Sequence, residues 1–231
     1  MARAFQDITK DTYISGLWKN DLKGGLLWYA RHRNTTSRSL HDQPLGPSWS
    51  WTSIIAPRGI EYEFINGAQP IITSSSCCSI IDAISTVAGR NPFGTVEKGE
   101  LRVKGFLREI IMPANTDSIW STWHKYCPEL TDLRIQFLVD IESEIAVGSK
   151  VVLFPISVFR QGMGRAVLDE AGEDLQDWED FEKILVGDNG ANCLLLVGVG
   201  YTDHVYKRVG VVRTGTLHCF HGCKKREFRV I

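Results

Sequence analysis

Hydrophobic and polar residues alternate in short runs along most of the chain, and a period of two is typical of half-buried β-strands. The alternation is clear at 48–52, where Trp49 and Trp51 alternate with Ser and Thr, and at 60–65. The alternation also extends over 133–140 and 206–213, and apolar or β-branched runs predict further strands at 26–30, 77–87, 100–111, 151–156, 193–199 and 227–231. We expect Gly105 to break one of these strands, and Pro155, which has no N–H, to place another at a bulge or a sheet edge.

Helical spacing of apolar residues is found near the N-terminus and in the acidic segment 169–182. The first predicts an N-terminal helix over about 12–23, with Tyr13, Ile14, Leu17, Trp18 and Leu22 as its apolar positions. The second predicts a short amphipathic helix around Leu175, Trp178 and Phe181. The polar segments 31–46 and 160–190 are expected to contain mobile loops.

Some ten short strands separated by turns, with few helices, predict a mainly β protein. We expect one domain over residues 1–231, an antiparallel β-barrel or sandwich with an N-terminal helix and one or two short extra helices.

The charge balance limits the classes of partner. The net charge of −1 does not provide the basic surface that nucleic acids and anionic membranes require. No run approaches the ~20 apolar residues of a membrane span, and the N-terminus does not resemble a signal peptide. With six Cys in addition, the sequence predicts a cytoplasmic protein with reduced thiols; its oligomeric state is left open.

Four of the seven Trp lie in the stretch from Tyr13 to Trp51, namely Trp18, Trp28, Trp49 and Trp51. These rings either form a core, with a helix packed across a sheet, or line a pocket that holds a flat apolar or cationic ligand. Asp21, Arg31 and Ser50 are close to them in sequence and could contact polar groups of such a ligand.

The segments YISGLWKNDLKGGLLWYA (13–30) and PSWSWTSI (47–54) resemble a region of fungal heterokaryon-incompatibility proteins, the part that follows their N-terminal effector domain. Looser matches lie at 99–106, 194–196 and 206–212. The sequence departs from that pattern in having no counterpart of the effector domain and in having residues 54–57 (IIAP) where Asp-Gly is usual. The resemblance implies a β-rich module with a shared aromatic core, and it does not carry over a cell-death role.

Two further groups of residues could take part in metal binding or catalysis. His218, Cys219, His221 and Cys223 could bind a metal, but zinc sites usually combine two separated clusters, so a turn at Gly222 is favoured and no metal is expected. Tyr201 and His204 belong to a Tyr-Thr-Asp-His run, in which the Asp could orient the imidazole for acid–base chemistry if the run forms a turn. A solvated loop histidine is the alternative.

The sequence contains no nucleophile elbow, phosphate loop or dinucleotide fingerprint. One hypothesis is therefore a cofactor-independent cyclase or isomerase of fungal specialised metabolism, including pericyclic reactions of the Diels–Alder type. Its apolar small-molecule substrate would lie in a cavity lined by Trp18, Trp28, Trp49, Trp51 and Tyr201. The catalytic groups would be His204, Asp21 and Arg31.

The alternative hypothesis is a non-enzymatic recognition or regulatory module of the heterokaryon-incompatibility type. An apolar cavity beside the Trp rings would favour the enzyme. A filled interior with an exposed apolar patch would favour a module that binds a partner.

Overall fold

The computed structural model describes residues 2–30, 39–40, 43–44, 46–62, 77–112, 121–122, 134–141, 144–160, 189–200 and 204–231, and in them the chain is mainly β, as predicted. Two short α-helices are described, α1 (Ala2–Thr9) and α2 (Leu22–Gly25), with single 3-10 turns at Lys19–Asp21, Trp51–Ser53 and His218–Phe220. The strands are β1 (Tyr13–Ile14), β2 (Leu17–Trp18), β3 (Trp28–Ala30), β4 (Ser39–Leu40), β5 (Gln43–Pro44), β6 (Ile60–Tyr62), β7 (Cys78–Val87), β8 (Val96–Phe106), β9 (Arg108–Ile111), β10 (Ser121–Thr122), β11 (Arg134–Val139), β12 (Lys150–Arg160), β13 (Asn189–Gly198), β14 (Val205–Thr214) and β15 (Lys225–Val230).

Nine strands form one sheet, and seven of them follow the hydrogen-bonded order β7-β8-β15-β14-β13-β12-β9. Strand β14 also pairs with β11, which pairs with β10. All neighbours are antiparallel except β14 and β15, which are parallel where Val205 lies opposite Arg229. Three two-stranded ladders, β1-β2, β3-β6 and β4-β5, complete the described strands.

The large sheet is strongly curved. Strands β8 and β9 are five positions apart in the sheet order, yet only Leu107 separates them in the chain. In a flat sheet they would be about 24 Å apart, since neighbouring strands are ~4.8 Å apart, whereas residues two positions apart in a chain are at most ~7 Å apart. The hydrogen-bonded path does not close between β7 and β9, so within the described residues the sheet is not a closed barrel.

Buried apolar side chains from strands across the sheet form one core cluster. Phe154 of β12 meets Phe228 of β15 edge to face, with ring centroids 4.8 Å apart, although the two strands are not neighbours in the sheet. Gly105 permits this packing, because a Cβ atom there would lie 2.5 Å from Cε2 of Phe154. The curvature therefore brings distant strands into one core.

The helix predicted over about 12–23 is wrong. Residues 13–18 form the hairpin of β1 and β2, in which Tyr13 lies opposite Trp18. The tight turn consists of Ser15 and Gly16, whose φ angles of 47° and 86° are incompatible with a helix. The N-terminal helix of the structure is α1, which precedes the predicted one.

The strand predicted at 48–52 is also wrong. Ser50 has extended backbone and its side chain accepts a hydrogen bond from the Thr52 amide, which starts the 3-10 turn at Trp51–Ser53. The expected bulge at Pro155 is confirmed by a register shift between Pro155 and Ser157. The 100–111 segment breaks at Leu107 and not at Gly105, which is paired inside β8.

The predicted loops at 31–46 and 160–190 and the helix around Trp178 lie largely outside the described residues. In the part of the chain that the structure describes, no helix is both long and apolar enough to cross a membrane.

Candidate functional site

The segment 46–53 (GPSWSWTS) connects several parts of the fold, beginning with the β1-β2 hairpin. The Trp51 indole N–H donates a 2.8 Å hydrogen bond to the carbonyl oxygen of Gly16. The Ser50 hydroxyl donates to the carbonyl of Ser15, the other residue of the turn. Gly16 fits because a Cβ atom there would lie 2.7 Å from Cγ2 of Thr52. Segment 46–53 therefore holds the turn of Ser15 and Gly16 in place.

The same segment contacts the large sheet through Ser48. Its hydroxyl accepts a 2.9 Å hydrogen bond from the backbone N–H of Arg208 in β14 and donates to the carbonyl of Ile231. Close approach to β8 is possible because residue 99 is Gly, where a Cβ atom would lie 2.6 Å from Cγ of Pro47. Segment 46–53 therefore links the hairpin, β8, β14 and Ile231.

Two of the predicted pocket rings, Trp28 and Trp49, are completely buried. The Trp28 indole N–H donates to the Trp49 carbonyl oxygen at 3.1 Å. The other two, Trp18 and Trp51, are only partly buried, and they lie in the hairpin and in the 3-10 turn. The four rings are therefore divided between the core and the surface.

Arg208 is a buried cation beneath the Trp28 ring, with its guanidinium carbon 3.6 Å from the ring centroid. Its Nη1 is 2.6 Å from Oδ2 of Asp140, and both side chains are completely buried. Its Nη2 donates to the Trp28 carbonyl oxygen. A buried pair with these additional hydrogen bonds fixes β14 relative to β3 and to the end of β11.

Tyr62 lies near Arg208 of this buried pair, and Asp21 lies near Tyr62. Partial desolvation raises the pKa of the Asp21 carboxyl, and the negative charge of Asp11 raises it further. Burial raises the pKa of Tyr62 first and the charge of Asp21 second, while Arg208 acts in the opposite direction. Tyr62 therefore interacts electrostatically with both Asp21 and Arg208, and a catalytic role for Asp21 stays a prediction.

The structure places the other predicted catalytic residues differently. His204 is an exposed turn residue with φ of 72° at the start of β14, and its carbonyl oxygen accepts the Arg229 amide. Within the described residues, the charged group that acts on the Asp21 carboxyl is Asp11 and not His204. Arg31 and Tyr201 lie outside the described residues, so their roles also stay predictions.

The 218–223 run forms a 3-10 turn followed by a turn at Gly222, whose φ is 76°, which confirms the predicted turn. His218 and His221 are exposed, whereas Cys219 and Cys223 are buried. In the described part of the chain, no group of three or more His, Cys, Asp or Glu is placed to hold a metal ion. Burial raises the pKa of the nearby Cys193 thiol well above its ordinary value.

A row of four aromatic rings on the surface was not recognised from the sequence. Phe5 of α1 contacts Trp18 at a centroid distance of 4.6 Å, Trp18 contacts Tyr13 at 5.3 Å, and Tyr13 contacts Phe93 at 5.0 Å. Phe5 is 47% exposed and the other three are partly buried. We call these four residues the aromatic row.

The aromatic row is assembled from three separate parts of the chain, α1, the β1-β2 hairpin and the turn between β7 and β8. The sequence carries a partial signal, since Phe5 and Ile8 have helical spacing and Phe93 lies in an Asn-Pro-Phe-Gly turn. Their meeting at one place requires tertiary structure.

Comparisons with protein-family models, with curated proteins and with solved structures found no match to this chain. The resemblance of residues 13–54 to heterokaryon-incompatibility proteins therefore stays a prediction.

Proposed function

We propose that the chain is a non-enzymatic recognition module that binds a protein partner through the aromatic row. The observation that supports this proposal is the aromatic row. Its four rings contact one another in sequence at the surface, and Phe5 is half exposed. Aromatic side chains supply much of the binding energy in protein interfaces. The resemblance to a region of heterokaryon-incompatibility proteins supports a recognition role.

The helix α1 supports this proposal. None of its residues is buried, and Ile8 is 81% exposed. An isolated helix of eight residues is marginal in water, because too few hydrogen bonds offset the cost of nucleation. A partner that covered Phe5 and Ile8 would supply the apolar contacts that α1 lacks.

The interior around Trp28 and Trp49 gives the cyclase less support. A ring that lined a substrate-sized hollow would be accessible to water, and these two rings are completely buried. Trp28 also stacks on the guanidinium of Arg208, and Trp49 packs against Gly99. Catalysis in a cavity bounded by Trp18, Trp51 or undescribed residues stays a prediction.

Site-specific photo-cross-linking tests the proposal. A benzophenone-bearing phenylalanine analogue would replace Phe5 or Phe93, with Val147, an exposed residue of the turn before β12 that contains no residue of the row, as the matched control site. We expect positions 5 and 93 to cross-link the same protein in cells and position 147 not to. Adducts would be identified by mass spectrometry.

The identified protein is then purified, and its binding is measured by calorimetry. Because truncation of a central aromatic residue typically costs about 2 kcal/mol of binding free energy, Phe5→Ser should weaken binding by roughly 30-fold. Identical adducts from all three positions, or unchanged affinity in both Phe5→Ser and Phe93→Ser, would refute recognition through the row.

A further inference from the structure

The aromatic row consists of two ring pairs, Phe5 with Trp18 and Tyr13 with Phe93, joined by the contact between Trp18 and Tyr13. The centroid distances of 4.6, 5.3 and 5.0 Å place the midpoints of the two pairs at most about 10 Å apart. A polyproline II helix advances ~3.1 Å per residue with three residues per turn, so residues three positions apart lie on one face, about 9 Å apart. Two prolines at this separation can therefore each contact one ring pair.

Trp18 adds a hydrogen-bond donor, and it belongs to one ring pair while contacting the other. Its side chain is partly buried, and its indole N–H makes no hydrogen bond to any residue that the structure describes. The carbonyl groups of a polyproline II helix have no internal hydrogen bonds, so they can accept one from a binding surface. Aromatic rings are the surface that proline-rich segments bind in known recognition domains.

The exposed charge around the row is mostly basic, although the whole chain has a net charge of −1. The row is carried by residues 2–21 and by the turn at 88–95. Asp11 in the first of these is buried, and its carboxylate accepts the amides of Thr12 and Asn20. The exposed charged residues are four basic and two acidic, namely Arg3, Lys10, Lys19 and Arg90 with Asp7 and Asp21.

The two exposed acidic residues do not make this surface acidic. Asp7 follows Arg3 by four positions in α1, so the two charges offset each other on one face of the helix. Asp21 directs its carboxylate to α2, where a Cβ atom at residue 24 would lie 2.7 Å from its Oδ1. A ligand that carries acidic residues is therefore electrostatically complementary to the surroundings of the row.

We infer that the aromatic row binds an extended proline-rich segment of its partner, with two prolines three positions apart and acidic residues beside them. This inference rests on the proposed recognition function and adds the chemistry of the partner. A polyproline II segment is largely ordered before it binds, so a surface of only four rings loses little affinity to the ordering of its ligand. Strand addition is less suited to this surface, because β1 and β2 have only two residues each.

Selection of random peptides displayed on phage tests the inference. The purified whole chain is the bait, and the double variant Phe5→Ser with Phe93→Ser removes sequences that bind elsewhere. We expect the retained sequences to share Pro-x-x-Pro with Asp or Glu beside it. Circular dichroism would check that the double variant is folded.

Two results of the selection would overturn the inference. Sequences that depend on the row but lack paired prolines, such as amphipathic helices, would do so and would leave recognition through the row intact. The absence of any row-dependent sequence would also do so. Cross-linking from positions 5 and 93 in cells then decides the proposed function separately, because it needs no assumption about the chemistry of the partner.

The affinity of a selected peptide, measured by fluorescence anisotropy, tests the two contacts. Replacing both prolines of the peptide by alanine should weaken binding roughly tenfold. Trp18→Phe keeps the ring and removes the N–H, and it should weaken binding by about fivefold. Unchanged affinity of the alanine peptide would contradict the inference.

Charge reversal tests the acidic part of the ligand. Arg90→Glu should weaken binding of the same peptide by about fivefold at low salt and by less at high salt, because exposed charges are screened. Arg226→Glu is the matched control, since Arg226 is exposed and lies opposite Gly105, at the end of β8 away from the turn at 88–95. It should leave the affinity unchanged, and equal effects of the two reversals would contradict a specific role for the charges beside the row.

Discussion

The indole N–H of Trp51 donates a 2.8 Å hydrogen bond to the carbonyl oxygen of Gly16, 35 residues earlier in the chain. This bond joins the two sequence segments that carry the resemblance, 13–30 and 47–54. Their occurrence in one sequence therefore has a physical reason, because each segment supplies polar groups that the other needs. The Gly-Leu-Trp and Ser-Trp-Ser-Trp motifs form one structural unit.

Replacing Trp51 by Phe tests this unit, because it keeps an aromatic ring and removes the N–H. We expect a loss of about 1 kcal/mol in the free energy of unfolding, measured by urea denaturation. Trp18→Phe is the matched control, since the Trp18 ring packs on Phe5 and Tyr13 without such a bond among the described residues. Equal losses in the two variants would contradict the role given to the Trp51 bond.

Substitutions at Gly16 and Gly89 distinguish the free-energy cost of backbone strain from that of a steric clash. Both have positive φ, 86° and 93°, but a Cβ atom at residue 16 would lie 2.7 Å from Cγ2 of Thr52, while residue 89 has open space. Gly89→Ala should cost about 1 kcal/mol from the left-handed backbone alone. Gly16→Ala should cost about 1–3 kcal/mol more because the 46–53 segment must shift. Similar unfolding midpoints for the two variants would show that segment 46–53 shifts at little cost in free energy.

A third prediction concerns the buried Arg208–Asp140 pair. Arg208→Met leaves Asp140 buried without its partner, and we expect a loss of about 3–5 kcal/mol in the free energy of unfolding. The double variant Arg208→Met with Asp140→Leu should lose much less than the sum of the single variants, in a double-mutant cycle measured by denaturation. Additive losses would mean that the two charges do not stabilise each other. Arg102→Met, which breaks an exposed pair with Glu227, should change stability little.

The long strands could be predicted from the sequence because alternation over six or more residues fits neither the period of a helix nor the composition of a loop. Residues 133–140 and 206–213 are examples, and they correspond to β11 and β14. Pro155 also predicted its bulge correctly, since its missing N–H is a local property.

The hairpin of β1 and β2 could not be predicted in the same way. Its strands have two residues each, so Tyr13 and Trp18 show no alternation, and their separation along the chain also fits a helix. The decisive residues are Ser15 and Gly16, which form the turn with positive φ and are held by residues 50 and 51. A contact over 35 residues leaves no periodic signal in the sequence.

The candidate site was unpredictable for a related reason. Arg208 and Asp140 are ordinary charged residues in alternating strands, and nothing local indicates that both are completely buried. The aromatic row combines three parts of the chain, and Phe5 and Phe93 are far apart in sequence. The residue types were visible in the sequence, but their meeting depends on tertiary structure.

The last prediction concerns Asp21, whose pKa is raised by partial desolvation and, second, by the charge of Asp11. Because the folded state binds this proton more tightly than the unfolded state, the contribution of Asp21 to stability falls as pH rises from the ordinary aspartate pKa through the raised folded value. Asp21→Asn cannot lose a proton, so its stability advantage over wild type should be larger at neutral pH than at acidic pH. In an Asp11→Asn background, the stability advantage of Asp21→Asn should depend less on pH, but the dependence should persist. Desolvation, the larger cause of the raised pKa of Asp21, is still present there. Urea denaturation of the four proteins across this pH range measures the effect, and parallel profiles for wild type and Asp21→Asn would contradict it.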